Sequence, residues 1–378
     1  MKVAKLQSWF VKCPVADSWK PFWGPGRINT TSITVTKVTA DEGLVGWGTS
    51  FNFSRVGVPD TRNAVRLQGE LGPQLIGKDI FEFEGLTQMF ETFLRQGINP
   101  WSVDLALWDI VGKAAGQPVY KLLGGHRDRV PVYASCTNAY GPEERVEALR
   151  CLIDEGWKAA KIHLAPSQSI ADSLRLITPA REAAGEKLRI AVDTHQCAES
   201  RHWGLQGALS FGRELDRMGN FLWMEDCLPR NDYASMQQLS AQLATPVSCG
   251  GIDASLIDIA RLLSTDCLDQ IQPGPGCNGS MWTMRKIVTL CEVYFKSYSP
   301  HTWSALDTVA GLHIAAATPA CNFLEMHYDP PAQPVMLINL LLKEPIQFNK
   351  EDGTCSVPQA PGWGVDVDEE LVERYCER

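Results

Sequence analysis

No stretch of the 378 residues approaches the roughly 20 consecutive apolar positions of a membrane-spanning helix. The opening Met1-Lys-Val-Ala-Lys-Leu-Gln lacks the apolar core of a secretion signal. No Cys-x-x-Cys pair occurs among the twelve cysteines, which are scattered and in several cases sit inside apolar, strand-like runs. That argues against a zinc site built on cysteine and for reduced, mostly buried thiols of a cytoplasmic protein. No basic block appears, and the net charge of −9 speaks against a nucleic-acid partner. What remains is a chain long enough for one large domain and a smaller one, with 44% hydrophobic residues to build a sizeable core.

The pattern along the chain changes twice. Residues 1–125 read as an α+β unit. Strand-like runs at Val3–Val11, Ser32–Ala40 and Leu44–Gly48 are followed by helical periodicity over 60–97, a helix from Pro100 to Gly116, and a short helix ending at Gly124-Gly125. Between the first two strands, Ser18-Trp-Lys-Pro-Phe-Trp-Gly-Pro-Gly-Arg27 is a loop by its proline and glycine content. Its aromatic residues suit a lid or a loop pinned to the core equally well. Over 126–342, strands alternate with helices. Candidate strands begin near Val130, Ala159, Arg189, Phe221, Pro246, Asp269, Tyr294 and Asn322. Eight such units fit a closed parallel barrel. An open doubly wound sheet is the alternative, but no glycine-rich phosphate fingerprint follows the first strand. Residues 343–378 read as a hairpin and coil returning to the N-terminal unit.

Several apolar runs of the barrel region end in ionisable groups: Lys161 and His163, Asp193 and His195, Glu225 and Asp226, His301, and Glu325. Alternation puts Lys161 and His163 on one strand face. Two basic groups on a buried face are costly without a job or a partner. In a barrel, function gathers at the C-terminal ends of the strands, where these groups fall. The bland reading of Asp193 and Glu225 is an ion pair with Lys161 across the mouth; that of His301 is a loop contact. His126, His202, His313 and His327 read as ordinary surface or packed histidines, and Arg27, Arg55 and Arg62 as surface arginines able to reach a carboxylate from the capping loops.

Together these features resemble the enolase superfamily, in its mandelate racemase/muconate lactonizing enzyme branch. The likeness covers nearly the whole chain. It rests on Ala106-Leu-Trp-Asp-Ile-Val-Gly-Lys113 with Leu122-Leu-Gly-Gly125, the Lys161-x-His163 pair, Val192-Asp193, Glu225-Asp226, Pro300-His-Thr-Trp303 and Pro361-Gly-Trp-Gly-Val-Asp366. It implies a (β/α)7β TIM-like barrel beneath an N-terminal α+β capping domain that the C-terminal tail completes. It implies Mg2+ held by carboxylates on the third to fifth strands, and a base that removes a proton next to a substrate carboxylate. By position, Lys161 would touch that carboxylate, and His163 and His301 would be acid/base groups on opposite faces. Asp193 and Glu225 would be metal ligands, and Glu325 would hydrogen-bond a substrate oxygen. The implied activity is a lyase or isomerase, foremost an acid-sugar dehydratase, acting as a homo-oligomer.

Two positions depart from the family pattern. The fifth strand, Pro246-Val-Ser-Cys-Gly-Gly251, carries glycine where the third metal ligand belongs. The sixth, Gln270-Ile-Gln-Pro-Gly274, carries glycine where an aspartate orients the histidine of the seventh. Mg2+ with two carboxylates is under-neutralised and weakly held. His195, on the same face as Asp193, can supply a nitrogen ligand and favours a softer ion; Asp253 can bend back toward the site. Cys249 and Cys277 flank the lost positions and read as packing. The alternative function is a barrel that has lost catalysis and serves to bind a ligand or to assemble.

Overall fold

The alternating run before Pro14 and the two after it form one antiparallel meander: β1 (Val3–Pro14), β2 (Thr30–Ala40) and β3 (Val45–Phe51). The structure, a computed structural model, describes residues 1–22, 26–51, 61–197, 203–251, 255–303 and 305–377. Arg55, His202 and Asp253 lie outside the described residues. The meander packs on the helix Trp101–Ala114, nearly all of which is buried. Pro100 precedes that helix, where a missing N–H costs nothing.

Eight parallel strands follow: β4 (Arg129–Cys136), β5 (Ala159–His163), β6 (Arg189–Asp193), β7 (Phe221–Glu225), β8 (Val247–Cys249), β9 (Gln270–Ile271), β10 (Ser297–Tyr298) and β11 (Leu324–His327). They pair in sequence from β4 to β10, and β11 returns to pair with β4. A parallel bridge between Tyr298 and Cys321 joins β10 to the segment leading into β11. It is backed by Tyr298 N–H to Ala320 O at 2.9 Å. The ring is thereby closed, and the fold is the capped TIM-like barrel. One strand start differs from the sequence reading: Tyr294 ends the helix Met281–Tyr294, which Phe295 caps in the left-handed region at φ 54°, and the strand begins only at Ser297.

The C-terminal segment serves both domains. Its hairpin, β12 (Phe348–Asn349) and β13 (Thr354–Ser356), pairs antiparallel with the start of β4. Farther on, Trp363 docks in the cap. Asp109 accepts from Trp363 N–H on one oxygen and from Trp47 N–H and the Lys113 ammonium on the other. A Cβ on Gly112 would lie 2.6 Å from the Gly362 Cα, so the two segments meet this closely only through glycine. No described helix is long and apolar enough to cross a membrane.

Candidate active site

Register sets the site. His163, Asp193, Glu225 and Ser248 lie side by side across β5 to β8, one level at the C-terminal rim. Lys161 sits two residues deeper, beside Ser135 of β4. On β11, the other neighbour of β4, His327 pairs with Ser135 and Glu325 pairs with Tyr133 two residues deeper, both on one face by alternation.

Lys161 is the hub. Its Nζ lies 2.9 Å from Glu225 Oε1, 3.0 Å from Glu325 Oε1 and 3.9 Å from Asp193 Oδ2, all buried. Burial works against its charge, but the carboxylates around it outweigh that and hold its pKa well above the ordinary lysine value. Glu325 is likewise buried, yet Lys161 and the neighbouring imidazoles keep it ionised, well below the usual carboxylate range. Glu225 goes the other way: burial and the charge of Asp193 push it up to about 7, against the pull of Lys161. Both oxygens of Glu225 are engaged, since Trp223 Nε1 and Gln272 Nε2 donate to Oε2 at 2.9 and 2.8 Å.

A second chain of contacts runs through Ser135. Its hydroxyl donates to Glu325 Oε1 at 2.7 Å and lies 3.0 Å from His163 Nε2. Ser135 has one proton, and the ionised carboxylate can only accept, so Nε2 of His163 must carry the hydrogen. The lone pair of His163 is then on Nδ1, 3.4 Å from Asp193 Oδ2 and without a hydrogen-bond partner. Burial and the Lys161 charge hold the His163 pKa well below that of free imidazole. His195 approaches from the next turn, its Nδ1 3.2 Å from Asp193 Oδ1 and also unpartnered. Its backbone takes φ 52°, an uncommon conformation for a non-glycine residue. Phe22 of the capping loop lies over both rings, its centroid 5.3 Å from His163 and 4.4 Å from His195. The loop is pinned to the core: Trp19, at its base, is fully buried and donates to Thr137 Oγ1.

The remaining rim is built differently. The His301 ring rests on Gly251, where a Cβ would find it in ordinary contact at 3.4–3.5 Å. A Cβ on Gly274 would fall 1.6 Å from the His301 carbonyl oxygen. The seventh-strand segment has closed onto the sixth, with His301 N–H bonded to Gln272 O at 2.9 Å. His301 Nε2 faces Glu325 Oε2 at 3.8 Å, and its Nδ1 has no hydrogen-bond partner.

Among the described residues, the carboxylates of this rim are engaged by other side chains. Asp193 faces two imidazoles, Glu225 is bound to Lys161, Trp223 and Gln272, and the fifth-strand position is Gly251. Among the described residues, His163, Asp193 and His195 bring one donor atom each within 4.8 Å of one another. Sequence reasoning did not single out Ser135, Phe22, Gln272 or His327. His327 is buried in the site wall with Nε2 2.9 Å from Thr302 O; its signal was the two-residue spacing from Glu325. Cys249 is buried and its thiol is pushed far up by burial, which leaves it inert. Arg27 and Arg62 are exposed.

Comparison with known proteins agrees with this architecture. Residues 144–371 match the enolase C-terminal domain-like family, and residues 15–124 match the mandelate racemase/muconate lactonizing enzyme N-terminal domain. A D-galactonate dehydratase family member of Streptomyces bingchenggensis is 28% identical, covering 93% of this chain and 90% of the relative. The arabinonate dehydratase of Saccharolobus solfataricus is also 28% identical, covering 91% and 90%. A racemase of Streptomyces coelicolor A3(2), solved with bound magnesium, superposes with a TM-score of 0.83 at 20% identity over 99% of this chain and all of its own. The chain belongs to the enolase superfamily, in its mandelate racemase/muconate lactonizing enzyme branch.

Proposed function

We propose that this barrel removes a proton next to the carboxylate of a small acid, and that the reaction is the dehydration of an acid sugar. The observation that carries this reading is the buried Lys161 ammonium at the centre of the rim, with the His301 imidazole across Glu325 from it. A proton α to a carboxylate is weakly acidic, and its removal places a second negative charge on the same group. A fixed cation in a water-poor site offsets that charge as it develops. Lys161 is that cation. His301 takes the proton, its ring backed by Glu325 and seated on Gly251. His163, which position alone made an acid/base group, has one nitrogen on Ser135 and the other toward Asp193, so proton transfer falls to His301. A relative named as a D-galactonate dehydratase family member and one named as an arabinonate dehydratase support the substrate class.

The test is a library of aldonic and aldaric acids, assayed for loss of water and for α-proton exchange in deuterated water. At least one acid should exchange and dehydrate, and His301→Asn should abolish both while leaving binding within a few fold. Acids that bind without any exchange, across the whole library, would make the chain a binding protein on an enzyme scaffold. The rebuilt fifth- and sixth-strand ends are what favour that second reading.

A further inference from the structure

We infer that His163, Asp193 and His195 form a nitrogen-rich site for a borderline divalent transition ion, zinc in class, in place of an all-carboxylate magnesium site. The inference stands apart from the proposed reaction, because the ion can bind whether or not the barrel is catalytic. Its first support is a conflict of lone pairs. The Ser135–Glu325 bond fixes the hydrogen of His163 on Nε2, so Nδ1 and Asp193 Oδ2 face each other at 3.4 Å as two acceptors. Such a pair repels unless a cation lies between them. On the other carboxylate oxygen, His195 Nδ1 stands at 3.2 Å without a hydrogen bond.

Spacing is the second support. Ligand atoms about 2.0–2.2 Å from one ion lie roughly 3–3.5 Å from each other; each histidine nitrogen stands at such a distance from one of the two Asp193 oxygens, and one donor atom from each residue lies within 4.8 Å of the others. The third is charge. Asp193, Glu225 and Glu325 crowd one ammonium, so the buried rim itself has more carboxylates than cations and favours a bound cation. Two imidazoles and a carboxylate select a borderline ion over Mg2+, which takes hard oxygen. Ser135 acts through His163 as a positioning residue, setting its tautomer as outer-shell partners of metal-bound histidines do. Phe22 covers both rings and shields the ion from bulk water.

The whole chain, stripped with a chelator and dialysed, is titrated with Zn2+ by calorimetry and with Co2+ by visible absorption. One equivalent of each should bind, Co2+ with ligand-field bands of a nitrogen-containing site, and millimolar Mg2+ should not displace either. His195→Gln and His163→Gln should each weaken binding more than about 100-fold, and Ser135→Ala about 10-fold. Glu225→Gln should change it less than about threefold. His195 is half-exposed, so His195→Gln keeps the test valid if His163→Gln fails to fold. Zn2+ affinity that ignores both histidines and falls with Glu225→Gln, or ready displacement by Mg2+, would overturn the site in favour of carboxylate ligation.

Discussion

Two arcs of the same barrel rim are built on different rules. Strands β5, β6 and β7 run five residues each and end in Lys161 and His163, Asp193, and Glu225. Strands β8, β9 and β10 run three, two and two residues and give way to Gly251, Gly274 and His301. In the first arc the ladder runs to the rim, and after one register shift between Ile190 and Val192 in the β6–β7 pair it aligns His163, Asp193 and Glu225 at one level. In the second arc the chain leaves the ladder early, and backbone packs on backbone. There glycine serves close approach. Gly274 is required by the His301 carbonyl, whereas Gly251 is merely covered by the His301 ring. The two glycines are therefore not equivalent: one position is closed to any side chain and the other is open.

The sharpest break in this contrast is to discharge the first arc. Lys161→Met keeps the length of the side chain but leaves Glu225, Glu325 and Asp193 facing one another without their cation. Removing one partner of a buried ion cluster costs about 3–5 kcal/mol, and denaturant unfolding at neutral pH should read a loss of that size. A loss under about 1 kcal/mol would mean that the first arc is held by its strand ladder alone, and the comparison between the arcs would then be one of strand length only.

A smaller effect is expected from Gly274→Asp, the substitution that nominally restores the partner of His301. Its Cβ cannot coexist with the His301 carbonyl where that now lies, so the segment after β10 must shift. Overpacking of this kind costs about 1–3 kcal/mol. Thermal melting should fall accordingly, with no gain in any α-proton exchange. A variant as stable as the parent would show that the second arc is loose rather than closed.

The same division explains what was legible from sequence. Lys161, His163, Asp193, Glu225 and Glu325 end apolar runs with regular alternation, and the structure brings all five within reach of one another. The ladder that orders them is written in the pattern itself. Ser135 was not legible: serine carries no charge to mark it, and its role depends on Glu325, 190 residues away. Phe22 was visible as one of several loop aromatics, but which ring reaches the histidines is decided by tertiary packing. The second arc misled at Tyr294, where an apolar pair looked like a strand start. Phe295 instead caps a helix and is 94% exposed. Two-residue strands carry too short a pattern to outweigh such a pair.

The smallest stability change, and the finest test of the contrast, is Gly251→Glu. The nearest atoms to an added Cβ are those of the His301 side chain at 3.4–3.5 Å, an ordinary contact, so with a divalent cation present to offset the new carboxylate the folded state should lose no more than about 1 kcal/mol. The new carboxylate would stand two residues past the end of β8, whose Ser248 pairs with Glu225, and could add a hard oxygen donor to a rim that now offers Asp193 between two imidazoles. A hard donor favours Mg2+ far more than it favours a borderline ion. Calorimetry should therefore show Mg2+ affinity rising at least about tenfold, an energy near 1.4 kcal/mol, while Zn2+ affinity changes less. Stable protein with unchanged Mg2+ affinity would mean that a side chain at 251 does not face Asp193, and that the second arc is closed at its fifth strand as well as its sixth.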